Sequence, residues 1–336
     1  MHMADALLSP AVGLGFHAAS AGLLATAARR VAREDGYERR LPLMGVLGAF
    51  VFAAQMVTFA IPGTGSSGHL AGGTLLAILV GPSAAFVVLA SVLTVQALFF
   101  ADGGLLALGC NLFNLGFWPA FAGIALHRRL ARAIPGAPGV SLGALASAVV
   151  SLELGALGVV VQTHLSGRAE VPLRELTILM LGVHLPIGVV EGLVTAGVVR
   201  FVARLAPDRV DGAGARAQAR LPLLAALGAA ALFLGTVAAS FASARPDGLA
   251  WSLSRALHGG PPAAHAAGVG GGLRALQERI AVLPEYAFRG VPRRDGVDPG
   301  TSAAGLVGAL LVAGLILVPG LVAVLLRRGR AGSART

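Results

Sequence analysis

The chain alternates long apolar runs with short joints that are polar, glycine-rich or rich in arginine. A helix needs about 20 mostly apolar residues to cross roughly 30 Å of hydrocarbon. Runs of that kind lie at 11–28, 41–61, 69–80, 82–100, 105–126, 140–163, 176–203, 221–242 and 304–326. The third is short, and Gly81-Pro82 interrupts its passage into the fourth. A broken or tilted segment lining a cavity is the expectation there, because irregular backbone at membrane depth must be sheltered by protein. The whole pattern predicts an all-α integral membrane protein. A seven-helix bundle over 1–205 leads to a linker at 206–220, where Pro207-Asp208-Arg209-Val210-Asp211-Gly212 breaks the apolar rhythm. A two-helix module over 221–336 follows, its spans flanking a loop at 243–303.

Arginine placement predicts the orientation, because cytoplasmic joints collect basic residues. Arg29, Arg30, Arg33, Arg39 and Arg40 follow the first run, and Arg128, Arg129 and Arg132 follow the fifth. Arg204, Arg209, Arg216 and Arg220 follow the seventh, and Arg327, Arg328, Arg330 and Arg335 follow the last. About nine spans with the N-terminus outside put all four groups inside. The joints at 62–68 and 101–104 hold no arginine and fall outside, as does the 243–303 loop.

Composition supports the membrane reading. Of the 336 residues 56% are hydrophobic and only 12% charged, with a mean hydropathy of +0.79. A soluble domain carries roughly a quarter charged residues. The net charge of +10 comes from arginine alone, for the chain has no lysine. With 5% aromatics and no aromatic-basic surface, these arginines read as membrane-flanking, not as a nucleic-acid footprint. The missing lysine also excludes a Walker A loop, so any ATP hydrolysis must come from another subunit. Cys110 stands alone, which excludes an internal disulfide and any CxxC site.

The candidate chemistry lies at the start, Met1-His2-Met3-Ala4-Asp5, together with Pro62-Gly63-Thr64-Gly65-Ser66-Ser67-Gly68-His69. The start lacks the basic cluster of a signal peptide and is read as a mature terminus. A free Met-His terminus offers the α-amine of Met1, the His2 amide once deprotonated, and the His2 imidazole. Chelation closes one five-membered and one six-membered ring and holds the donors near one plane. His69 completes a square if the fold brings its loop to the terminus. Planar nitrogen coordination points to Ni(II) or Cu(II) rather than tetrahedral Zn(II). Asp5 has two readings, fixing an imidazole tautomer or capping the first helix. Gln96, Asp102, Asn111 and Asn114 read as interior polar ties, and His17 as interior packing. His184 and Glu191, seven apart on one helical face, read as packing support. His258 and His265 sit in a glycine- and proline-rich stretch, 258–272, that reads as a linker.

Several separated motifs carry a resemblance. Met1-His2-Met3-Ala4-Asp5, Gly65-Ser66-Ser67-Gly68-His69-Leu70-Ala71-Gly72-Gly73 and Gln96-Ala97-Leu98-Phe99-Phe100-Ala101-Asp102-Gly103-Gly104 are three of them. Gly109-Cys110-Asn111-Leu112-Phe113-Asn114 and His184-Leu185-Pro186-Ile187-Gly188-Val189-Val190-Glu191-Gly192 are two more. From residue 1 to about 205 the chain resembles the nickel/cobalt substrate-binding (S) component of energy-coupling factor (ECF) transporters, the NikM/CbiM type. Met3 stands where that family usually has Ile. Arg245–Ala250 resembles the Pro-Asp-Gly-Leu-Glu motif of the small NikN/CbiN-type subunit, with Ala250 in place of the Glu.

The resemblance implies a non-catalytic subunit of an ATP-driven importer in a prokaryotic plasma membrane. Its partners would be a transmembrane coupling (T) subunit and ATPase (A) subunits. The substrate would be Ni(II), with Co(II) for cobalamin synthesis as the alternative. Affinity should fall in acid, with the imidazoles lost first near their usual pKa of about 6.5. An ion-coupled secondary permease is the rival transporter. A membrane metallohydrolase is disfavoured because the chain holds no HExxH motif.

Overall fold

The computed structural model describes residues 1–34, 36–168, 171–206, 221–257, 269–291 and 298–333, with side chains to 325 in the last helix. His258, His265 and most of the 206–220 linker lie outside the described residues. Helix α1 (Pro10–Arg33) starts where Ser9 Oγ accepts from the Val12 amide at 3.4 Å and Pro10 fills the first helical position. A hydroxyl cap and an early proline both suit a helix start. Helix α2 (Leu41–Met56) leads into a small hairpin, β1 (Phe59–Ala60) against β2 (Ser67–Gly68). Helices α3 (Gly73–Val80) and α4 (Pro82–Phe100) follow.

Helix α3 is the broken segment that Gly81-Pro82 foretold. It has eight residues, and left-handed glycines bound it, Gly72 at φ +76° and Gly81 at φ +82°. A Cβ on Gly72 would also lie 2.6 Å from Val51 Cγ1, so only glycine fits.

The fifth apolar run folds into three joined pieces, α5 (Leu108–Leu112), a π-helical stretch (Phe113–Gly123) and α6 (Ile124–Ala133). Pro119 has no amide to donate, and the Ile124 amide bonds back to the Pro119 carbonyl. That five-residue step is the wider π turn. Helices α7 (Ala137–Ser166) and α8 (Leu173–Leu205) pack along each other and close the bundle.

The C-terminal half contributes α9 (Leu221–Thr236), α10 (Gly248–Ala256), α11 (Val269–Ile280) and α12 (Pro299–Ser333). Helices α9 and α12 lie against α2. Between them the chain crosses the end of the bundle that carries the hairpin. There Ser243 N donates to Thr58 O at 3.1 Å, Ser67 N to Pro246 O at 2.8 Å and Val282 N to Phe99 O at 2.9 Å.

Among the described residues six helices are long and apolar enough to cross a membrane: Pro10–Arg33, Pro82–Phe100, Ala137–Ser166, Leu173–Leu205, Leu221–Phe241 and Pro299–Leu325. They leave large apolar side chains such as Leu14, Ile178, Leu193, Leu232 and Leu310 exposed, as lipid-facing surface requires. Helix α2, with 16 residues, is shorter than a full span, and α3 does not cross alone.

Candidate metal centre

The N-terminus is clamped before any ligand is considered. Met3 is fully buried. Its amide donates to Asn111 Oδ1 at 2.7 Å, and its carbonyl accepts from Asn111 Nδ2 at 3.2 Å and from the Gly104 amide at 2.8 Å. Asn111 sits on α5, so a side chain does for the terminus what a neighbouring strand would do. Asn114, one turn on, exchanges two hydrogen bonds with Gln162 of α7, at 2.7 and 3.0 Å. These buried amides are the ties expected of them, and their pairing offsets the cost of burying polar groups.

The clamp leaves Met1 and His2 facing the hairpin loop. The Met1 amine donates to Asp247 Oδ2 at 3.1 Å. His2 Nδ1 lies 2.7 Å from Asp102 Oδ1, and Asp102 Oδ2 accepts from the Tyr286 hydroxyl at 2.5 Å. His2 Nε2 is buried with no hydrogen-bond partner. The His2 and His69 rings meet with centroids 5.4 Å apart, tilted by 57°. His69 donates from Nδ1 to the Leu70 carbonyl at 3.0 Å, which leaves Nε2 as its free lone pair.

His69 is held from both sides. Glu191 of α8 accepts from the Ala71 amide at 2.8 Å and the Gly72 amide at 3.1 Å. Gln55 donates to the Ala71 carbonyl at 2.8 Å and accepts from Gln96 at 2.7 Å. Gly68 lets the strand approach α8, since a Cβ there would lie 2.5 Å from Ile187 Cγ1. Met1, His69, His184, Asp247 and Gly248 border a void of about 10 Å³. That is about the space one water-sized sphere needs.

The electrostatics of the loops follow from this crowding. Burial, the terminal ammonium and His2 together push the His69 pKa down to about 4. The imidazole is therefore neutral well below the value of about 6.5 expected from sequence. Burial alone would raise the Asp102 carboxyl, but His2 and the Tyr286 hydroxyl hold it below its usual range. Asp247 is likewise lowered against its burial, by the terminal ammonium and the Ala250 amide.

Of the residues expected at the site, Met1, His2 and His69 come together. Asp5 does not join them. Its Oδ1 accepts from the Ala107 amide at 3.0 Å and its Oδ2 is buried without a partner, while burial raises its pKa. Asp102 holds the His2 imidazole instead, and Ser9 caps α1. Asp5 is near His2 in sequence, but the 3-10 turn Asp5–Leu7 carries it to the α5 approach. Two contributors were not foreseen from sequence. His184 borders the void while its Nδ1 donates to the Met180 carbonyl at 2.7 Å. Asp247 caps α10 through Oδ1, accepting from the Ala250 amide at 2.7 Å, and meets the amine through Oδ2. Only the Pro-Asp-Gly resemblance pointed at that segment.

Among the described residues no group of three or more His, Cys, Asp or Glu side chains is arranged to hold a metal.

Comparison with known proteins gives a consistent picture. A family model described as the cobalt uptake substrate-specific transmembrane region matches residues 2–209, and a PDGLE domain model matches 221–327. A fused nickel transport protein, NikMN, of Rhodobacter capsulatus is 34% identical over 98% of this chain and 100% of its own. A cobalt transport protein, CbiM, of Sorangium cellulosum is 32% identical over 63% of this chain and 95% of its own. A crystal structure of a truncated transition metal transporter superposes with a TM-score of 0.54 at 30% identity, covering 61% of this chain and 99% of that one.

Proposed function

The chain belongs to the NikM/CbiM family of metal transport proteins, with a fused NikN-type module, and from that premise we propose that it captures Ni(II) as a transported substrate. The Met1 amine, the His2 amide and imidazole, and the His69 imidazole are the donors. The observation that carries this reading is the convergence of the terminal amine and both imidazoles on one end of the bundle, with His69 Nε2 left without a protein partner. A planar four-nitrogen set favours Ni(II) over most divalent ions. Co(II) through the same donors is the second reading, favoured by the family description itself.

Loading involves a movement. The six-membered chelate ring closes through His2 Nδ1, the atom that bonds to Asp102. The imidazole must turn off Asp102 Oδ1, after which Nε2–H becomes the group free to donate to a carboxylate. Such outer carboxylates fix the orientation of metal-binding imidazoles. The Met1 ammonium must also release its proton and leave Asp247. Asp247 belongs to the 221–336 module, so this module acts at the metal site itself, steadying the terminus between loadings.

Transport then requires partners. We read residues 1–205 as the substrate-binding component and expect a transmembrane coupling subunit and ATPase subunits to drive inward release. With no lysine for a Walker A loop, this chain supplies capture and not hydrolysis.

Calorimetric titration of Ni(II) and Co(II) tests the site. Protein with its native terminus is compared with a version carrying one residue inserted before His2. Tight Ni(II) binding that is lost on insertion is expected. Unchanged binding after insertion would sink the terminal chelate, and tight Co(II) with weak Ni(II) would keep the site but overturn the substrate.

A further inference from the structure

A second cavity among the described residues lies away from the metal centre. It measures about 970 Å³ and lies at the far end of α3 from His69, between α4, α6, α7 and α8. Five arginines line it, Arg40, Arg128, Arg132, Arg200 and Arg204, and Glu34 is the only carboxylate among the lining residues. Four of these arginines are exposed at its rim. Arg40 is 5% exposed and is the exception. Its Nη1 donates to Glu34 and its Nη2 to the Val80 carbonyl, while its Nε is buried with no partner.

Two helices also point their positive ends at this space. The first turn of α4, with Ser83 and Ala84, and the first residue of α7, Ala137, are part of its lining. Free amides and the helix dipole both favour an anion there. Ala77, Leu79, Val140 and Val199 supply an apolar part of the wall, and His127 is a buried polar residue within it. Leu142 and Phe201, close by on α7 and α8, are more than two-fifths exposed on the surface that meets lipid.

We infer that this cavity is a binding site for a phosphate-bearing anion, the headgroup of an acidic phospholipid. A buried guanidinium with an unused donor, a rim of four more arginines and two helix N-termini supply the anion recognition. Guanidinium is suited to phosphate because its donors match the oxygens in pairs. The volume is far more than inorganic phosphate fills, and the apolar wall accommodates the glycerol and first acyl carbons. Basic pockets between membrane helices on the arginine-rich side are where acidic headgroups collect. The site is independent of the metal reading, since none of its residues touches His2, His69 or Asp247.

The test uses the full chain in neutral detergent and native mass spectrometry. Phosphatidylglycerol, phosphatidylcholine and inorganic phosphate are added separately to the wild type and to the double variant Arg200→Gln/Arg204→Gln. The expected result is retention of phosphatidylglycerol over phosphatidylcholine, weakened roughly tenfold per arginine removed. The melting temperature of the lipid-free variant should match wild type, which shows that it is folded. Equal retention of the two lipids, or unchanged phosphatidylglycerol retention in the variant, overturns the proposal. Saturable binding of inorganic phosphate without lipid preference keeps the anion site and overturns its lipid source.

Discussion

At the scale of single residues, the site depends on which atom of each ring is free. Asp102 decides this for His2. Asp102→Asn keeps the shape of the side chain but loses its charge. If the turned ring donates Nε2–H to Asp102, Ni(II) affinity should fall about 10- to 100-fold, as loss of an outer carboxylate commonly does. Calorimetry checks it, and tighter binding would mean that Asp102 holds the ring away from the metal. His69 gives a pH signature. Its folded pKa is about 4, and an unfolded histidine titrates near 6.5. Above about pH 6.5 it is neutral in both states and adds no pH dependence. As pH falls from there toward about 4, the unfolded chain takes up a proton that the folded site refuses, so stability declines. Melting temperatures at pH 7.5 and 5 should therefore drop further for wild type than for His69→Asn.

Residue by residue, the sequence singled out Met1, His2 and His69, which the structure brings together, but not the groups that hold them. Met1, His2 and His69 belong to local motifs, and a terminal Met-His states its chemistry without a fold. Asp102 and Asp5 show the limit. Both are aspartates within reach of a plausible site, and nearness along the chain favoured Asp5, whereas the partner of His2 lies 100 residues away. Nothing in one sequence reports such a pairing.

At the scale of elements, the region around α3 decides whether His69 is presented. Glu191 serves as an acceptor for two amides in a row, at Ala71 and Gly72. Glu191→Ala would strand both, and leaving buried amides unpaired costs roughly 1–3 kcal/mol each. Thermal unfolding should register the loss, and Ni(II) binding should weaken because the His69 loop is no longer pinned. Gly72→Ala is expected to act in the same direction by another route. Its φ of +76° and the 2.6 Å approach to Val51 make any side chain strained there. A melting temperature equal to wild type would show that the loop accommodates a side chain at position 72. The Gly81-Pro82 pair made the end of α3 readable in advance, since both residues punctuate helices. The π stretch was not readable. Pro119 has apolar neighbours, and Asn114 is the one polar side chain of the stretch, so a change from α to π leaves no mark on a pattern that is almost wholly apolar.

At the scale of the whole molecule, the two sequence modules are one structure. Helices α9 and α12 cover α2, and the segment from Ser243 to Leu257 closes over the hairpin. A fragment ending at residue 206 keeps Met1, His2 and His69 but loses Asp247 and the cover of α2, including the face that holds Phe52. We expect it to melt several degrees lower, the scale of about 1 kcal/mol in a domain of this size. It should also release Ni(II) faster in stopped-flow chelator exchange. Equal release rates would mean that the second module contributes nothing at the metal. Hydropathy and arginine placement made the membrane class and the two-part organisation legible. They were silent on how the parts lie together, because lipid-facing and protein-facing leucines look the same in sequence.

The ion pair between Met1 and Asp247 also sets a schedule. Its partners are 246 positions apart in a chain made from one end. At about 5–20 residues per second, the ribosome needs roughly 12–50 s to deliver the carboxylate after the amine has emerged. Helix formation itself takes roughly a microsecond. For most of its synthesis the terminus therefore lacks this partner, and this end of the bundle cannot close fully until the second module has been made.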